Sequence, residues 1–169
     1  MSRIPPEQDA TLTRFLDGPS QLEAAIAGLS DKELDAPPVP PGWTIRQIAH
    51  HIVDGDDLWK MYVKAANGTP ESGATLQWYW NSPQDQWAQA WIYATRALEP
   101  GLALFRANRA HVSQLVTGIP DAWHRSVLIL WPKREPSRET VGEIVQSQAH
   151  HALDHVRDIR AVRSALGRG

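Results

Sequence analysis

The chain has 169 residues, of which 42% are hydrophobic and 21% charged, a mix that suits one globular domain with a sizeable core. A formal net charge of −2 gives no footing for nucleic acid or an anionic membrane surface as a partner, and Lys133-Arg134 with Arg138 reads as a solvated loop. No cysteine is present, which excludes disulfides, thiolate metal sites and a cysteine nucleophile, so a metal site must use His, Asp, Glu or backbone oxygen.

Met1 to Thr13 is polar and carries Pro5-Pro6 where a signal peptide would carry an apolar segment. No stretch approaches the ~20 apolar residues of a membrane span. The expectation is a cytoplasmic protein forming one domain over residues 1–169. A short helical stretch is expected around Leu12, Phe15 and Leu16. After Gly18-Pro19-Ser20, the residues Leu22, Ala25, Ile26 and Leu29 recur at helical spacing, and Ser20 with Glu23 has the form of a capping box. Pro37 to Gly42 breaks any helix. Thr44-Ile45-Arg46-Gln47 has the same capping form and starts a helix predicted to run to about Ala66, where Asn67-Gly68 ends it.

Residues 68–82 read as a long loop, and Ser82-Pro83 opens a short helix carrying Trp87 and Trp91. Pro100 fits the first turn of a third long helix ending near Gly118, with Leu104, Phe105, Val112, Leu115 and Val116 on its core face. Arg125 to Trp131 reads as extended or irregular and Lys133 to Glu139 as a polar loop. Thr140-Val141-Gly142-Glu143 caps a fourth helix running to about Leu166. The sum is an all-α fold, an antiparallel four-helix bundle with long connecting loops.

Seven histidines occur, and two helices each carry an adjacent pair. On the second helix Ile45, Ile48, Ile52, Trp59 and Tyr62 define the apolar stripe. His51 lies on it, whereas His50 aligns with the polar flank of Arg46, Asp54 and Asp57. On the fourth helix Val141, Ile144, Val145, Ala152, Val156 and Ile159 mark the inward face. His151 and His155 lie on or beside it, and His150 aligns with solvent. Two imidazoles one turn apart, joined by a third from a facing helix, suit one ion at about 2.0–2.1 Å from each nitrogen. Core histidines are more often satisfied by hydrogen bonds, but three inward rings ask for a common partner, and one cation supplies it. Three protein ligands leave a position open, the pattern of a catalytic centre. His111 and His124 lack such company and read as structural or exposed. There is no Glu-x-x-His, His-Glu-x-x-His, Gly-x-Ser-x-Gly, Walker A or Gly-x-Gly-x-x-Gly sequence.

Gly42-Trp43-Thr44-Ile45-Arg46-Gln47-Ile48-Ala49-His50-His51-Ile52-Val53-Asp54 resembles the second-helix signature of the DinB/YfiT-like superfamily of metal-dependent enzymes. His150-His151-Ala152-Leu153-Asp154-His155 resembles its fourth-helix signature. The resemblance covers nearly the whole chain. It implies a four-helix bundle, often a homodimer, with a divalent ion, commonly zinc or nickel, held by one His of helix two and two of helix four: His51, His151 and His155. It also implies a small-molecule substrate and a hydrolase, or a transferase using a low-molecular-weight thiol of the bacillithiol or mycothiol type. Asp54, three residues after His51, is the candidate to orient a ligand ring, act as general base or serve as a fourth ligand; otherwise it is a solvated carboxylate. Trp78, Tyr79 and Trp80 are expected to cover the open metal face, while the other tryptophans fill core and interfaces. Two other readings stand beside the enzyme: a non-catalytic, stress-related dimer stabilised by its ion, and a metal-free helical scaffold.

Overall fold

The computed structural model describes residues 5–38, 40–69 and 71–168. Four long helices form the body: α1 (Pro6–Ile26), α3 (Ile45–Gly68), α6 (Leu98–Gly118) and α7 (Val141–Ala165). Between them lie α2 (Asp31–Leu34), β1 (Gly73–Ala74), α4 (Gln77–Trp80), α5 (Gln84–Ala90), a 3-10 turn (Ala122–His124), β2 (Ser126–Ile129) and β3 (Ser137–Thr140). Among the described residues no helix is long and apolar enough to cross a membrane.

The caps read from the sequence at Thr44 and Thr140 are both present. Each threonine oxygen accepts from the amide three residues on, and the Gln47 or Glu143 side chain reaches back to the cap amide. The box expected at Ser20 is absent, because α1 runs straight through Gly18 and Pro19 as one helix. Ser20 Oγ instead donates to the Asp17 carbonyl at 2.7 Å and to the Asp17 carboxylate at 2.6 Å. A proline inside a helix removes the bond to the carbonyl four residues back, here that of Phe15. That carbonyl accepts from Arg109 Nη1 on α6 instead.

Arg109 is the hub of the interior and is 1% exposed. Its Nε donates to Asp56 on α3 at 3.0 Å, and Nη2 donates to the Gln148 carbonyl on α7 at 2.9 Å. Its guanidinium lies 4.2 Å from the Phe15 ring centroid and 4.4 Å from that of Phe105. The close pass over α1 explains Gly18, where a Cβ would stand 2.2 Å from Arg109 Nη1. On α6 the inward face thus turns toward Phe105, Asn108, Arg109 and Val112. Leu104, expected in the core, is 38% exposed.

Neighbouring helices are α1 with α6 and α7, and α3 with α6 and α7, so α1 and α3 stand on a diagonal. Contacts from α1 to α7 rise together along both chains, from Arg14 beside His150 to Gln21 with Arg160 and Ala25 with Arg163, so these two helices run the same way. The pair α3 and α6 also runs in one direction, from His50 beside Gly101 to Lys60 on Asn108. Across the bundle α3 opposes α7, and α1 opposes α6. Carrying the chain back between two helices of one direction requires a long connection, and residues 69–97 supply it.

That connection is pinned by aromatics and by a small sheet. Trp80 packs on Trp59 and Trp131, and Tyr79 stacks on Trp87 and Trp91. The strand order is β1-β2-β3, with β1 parallel to β2 and β2 antiparallel to β3. The strand β2 falls where the sequence read extended or irregular chain, and β3 lies at the end of the expected polar loop and leads into the Thr140 cap. Arg109→Ala would leave Asp56 and the Phe15 and Gln148 carbonyls without their partner in the interior. We expect a loss of about 3–5 kcal/mol of unfolding free energy, read from urea denaturation of wild type and variant side by side.

Candidate metal centre

His51 projects from the second turn of α3, and His151 and His155 project from the middle of α7. Their ring centroids are 5.1 Å (His51 to His151), 5.0 Å (His51 to His155) and 4.7 Å (His151 to His155) apart. One nitrogen from each ring lies within 4.8 Å of those of the other two. His51 is buried and the other two are half-buried.

The donor set fits a divalent ion. Nε2 of His51 and Nε2 of His151 stand 3.2 Å apart. Two nitrogens on one tetrahedral ion stand roughly 3.3 Å apart when the bonds are about 2.0–2.1 Å. Coordination needs neutral imidazoles. Burial, helped by the two neighbouring rings, pushes the His51 pKa down to about 3. Burial, with His155 and Arg109 adding to it, lowers His151 to about 4. His155 Nδ1 lies 2.9 Å from Asp158 Oδ2 and donates to the carboxylate, so Nε2 is the nitrogen of that ring that would coordinate an ion. The edge of Trp43 meets His51 at 5.0 Å and holds that ring in place.

The other expectations fare differently. His150 is exposed, as its line on the helix implied, and so are His111 and His124. His50 is not solvent-facing: it is 0% exposed. Its Nε2 donates to the Arg96 carbonyl at 3.0 Å, and its Nδ1 accepts from Arg96 Nη2 at 3.0 Å. The flank that looked polar is covered by the segment around Tyr93 and Arg96, a placement that helical periodicity cannot supply. Asp54 belongs to the same group, accepting from Arg96 Nη2 at 2.8 Å, and the metal-capable cluster contains no carboxylate. Trp78 to Trp80 lie in the aromatic clusters of the 69–97 connection, with Trp78 53% exposed, and the indole against the cluster is Trp43. Asp158 lies one turn past His155, and that spacing of three residues alone does not assign it a role; the contact with the ring does.

The cluster is open on two sides. His155 and Asp158 line a pocket of about 560 Å³ together with Trp43, Ile48 and Val162. His151 lines a shallow polar groove with Glu143, His150 and Asp154.

The sequence model described as the DinB superfamily matches residues 14–159, a span that includes all three histidines. The chain belongs to the DinB superfamily. Among curated relatives, "Putative metal-dependent hydrolase GK0616" of Geobacillus kaustophilus is 26% identical over 150 residues, covering 88% of this chain and 80% of that protein. A protein of Geobacillus thermodenitrificans with the same description is 23% identical over 149 residues, with the same shares of 88% and 80%. The fold matches YfiT from Bacillus subtilis, described as "a probable metal-dependent hydrolase with an unusual four-helix bundle topology". The TM-score is 0.83 at 19% identity, over 100% of this chain and 93% of that one.

The depressed histidines make the metal-free DinB protein acid-sensitive. In the unfolded chain both rings take a proton below about 6.5, whereas folded His51 and His151 stay neutral to about 3 and 4. The unfolded state then binds more protons, and stability falls as pH drops below about 6.5. Asp56 opposes this by one proton, because burial raises its pKa from 3.8 to about 6. Two against one leaves a slope of about 1.4 kcal/mol per pH unit between roughly pH 6 and pH 4 from these three groups, and His50, lowered by burial, adds to the loss in the same direction. Urea titrations of metal-free protein across that window should show the loss. The double variant His51→Gln/His151→Gln should lose most of that slope, because Asp56 and His50 then oppose each other.

Proposed function

We propose that this DinB protein is a metal-dependent hydrolase acting on a small molecule, with His51, His151 and His155 as the ligands of its ion. The observation that carries the reading is the opening of His155 onto the 560 Å³ pocket. A purely structural ion would be closed off by a fourth side chain, whereas here the third imidazole faces a space of the size small-molecule sites take. Three imidazoles and no thiolate suit zinc or nickel.

Bound there, a divalent ion would polarise a substrate carbonyl and acidify water or a thiol. The chain's own residues do the rest. Asp158 fixes the tautomer of His155, and Trp43 restrains His51. Asp54 acts at a remove, holding Arg96 against His50 and so fixing α3 on the side away from His151. A low-molecular-weight thiol is the other partner such a centre takes. The pocket lining includes no Lys or Arg to meet the carboxylates of such a thiol, which favours water and hydrolysis over thiol transfer.

Two measurements test this reading. His51→Ala, His151→Ala and His155→Ala should each lose bound zinc or nickel by elemental analysis, and should lose esterase or amidase turnover with it. His150→Ala should keep both. Retention of metal in all three ligand variants would sink the assignment. Asp158→Asn should keep the fold but weaken zinc affinity about 10–100-fold, the usual cost of losing a hydrogen-bond partner behind a ligand. Competition against a chelating dye reads that change.

A further inference from the structure

The pocket beside His155 has a chemistry of its own. One wall is the end of α7. From the proposed ligand His155 the exposed line continues through Asp158, Ala161, Val162 and Ala165 to Leu166, at the three- and four-residue spacing of one helix face. Eleven residues of helix make this trough about 16 Å long. The facing wall is Pro37, Pro38 and Pro40, running into Gly42 and Trp43. Prolines have no backbone N–H, so this wall presents hydrocarbon and few donors to a ligand. Ile48 forms the floor between the walls.

Charge is kept out of the trough. Four arginines sit on this part of α7 or just after it, and each is engaged elsewhere. Arg157 pairs with Asp154, Arg160 donates to Gln21, Arg163 donates to the carbonyls of Ala25 and Ala27, and Arg168 pairs with Glu33. The one ionisable lining residue besides His155 is Asp158, which is held on that ring. An anionic tail would thus meet a carboxylate and no cation, and a cationic tail would leave water for a lining that adds only the Gln84 amide to the engaged Asp158.

Resting on the hydrolase reading above, we infer that the substrate carries an uncharged hydrocarbon arm, alkyl or aryl, which lies along the α7 trough. Its ester or amide carbonyl sits at the histidine end. The trough sets specificity by length and charge, and the histidines set where the bond is cut. Hydrolysis adds water across the acyl bond, so the products are an acid and an alcohol or amine, and no further reactant is needed.

Straight-chain hydroxamic acids test the inference by calorimetry on zinc-loaded protein. From acetohydroxamic through butyro- and hexano- to octanohydroxamic acid, affinity should rise about fourfold per added methylene. Adipic monohydroxamic acid, with a carboxylate at its far end, should bind at least about tenfold more weakly than hexanohydroxamic acid. Ala161→Phe and Ala165→Phe change exposed positions, so each should fold and retain zinc, yet each should flatten the series. A flat series in the wild type, or a series unaltered in both variants, overturns the inference. So does a dimer, measured by sedimentation, that either variant splits, because a second copy would then fill the trough. The parallel alkanol series on metal-free protein separates this inference from the reading beneath it. Alkanols that show the same increment while hydroxamates bind no tighter than alkanols of equal length would sink the metal centre and leave the trough standing.

Discussion

One guanidinium ties the four helices together. Arg109 reaches α1 through the Phe15 carbonyl, α3 through Asp56 and α7 through the Gln148 carbonyl, all from its place on α6. A buried ion pair is a weak source of net stability, because desolvation offsets the attraction. Burial also pushes both partners toward their neutral forms, with Asp56 raised and Arg109 lowered. What such a pair does supply is uniqueness: a slide or rotation of any one helix would strand a charge or a carbonyl. Gly18 and Pro19 make sense only in this light, one leaving room for the guanidinium and the other freeing the carbonyl that it binds.

The histidine cluster depends on that fixity. Asp56 follows His51 by five residues on α3, and Gln148 precedes His151 by three on α7. The helices that bring the imidazoles together are therefore locked within about a turn or two of the rings themselves. At the other side of α3, Arg96 clasps His50 and Asp54 and holds the long connection in place. Adjacent histidines thus serve separate ends, one binding the fold and the other facing the cluster. Packing on a rigid interior is what holds the three rings close together.

Much of this was legible in the residues. Thr44 and Thr140 announced their helices because capping is a local interaction among four residues. His51, His151 and His155 were found on one inward face because helical periodicity is equally local. The failures were all tertiary. The burial of His50 and Arg46 depends on segments distant in sequence folding over a polar flank. Leu104 is apolar and sits at core spacing, yet α6 turns so that Arg109 can occupy the interior, a choice that no hydrophobicity pattern contains. The Ser20 box failed because Pro19 looked like a boundary, and the partner that makes it tolerable lies ninety positions along the chain, in Arg109. Asp158 is an exposed carboxylate by composition and becomes meaningful only when the ring beside it has a task.

The Thr140 cap has a consequence for how this sequence can change over time. It fixes the first turn of α7 at the end of β3, and the two histidines follow at fixed rotation, about 100° per residue. One residue inserted between Thr140 and His151 would swing both rings roughly 100° away from His51 and dismantle the cluster at a stroke. The same insertion at the exposed Lys133–Glu135 turn would leave the cap, and everything downstream, in register. Length variation among homologous chains should therefore gather before β3 and be purged from the first three turns of α7, even though many side chains on those turns face solvent.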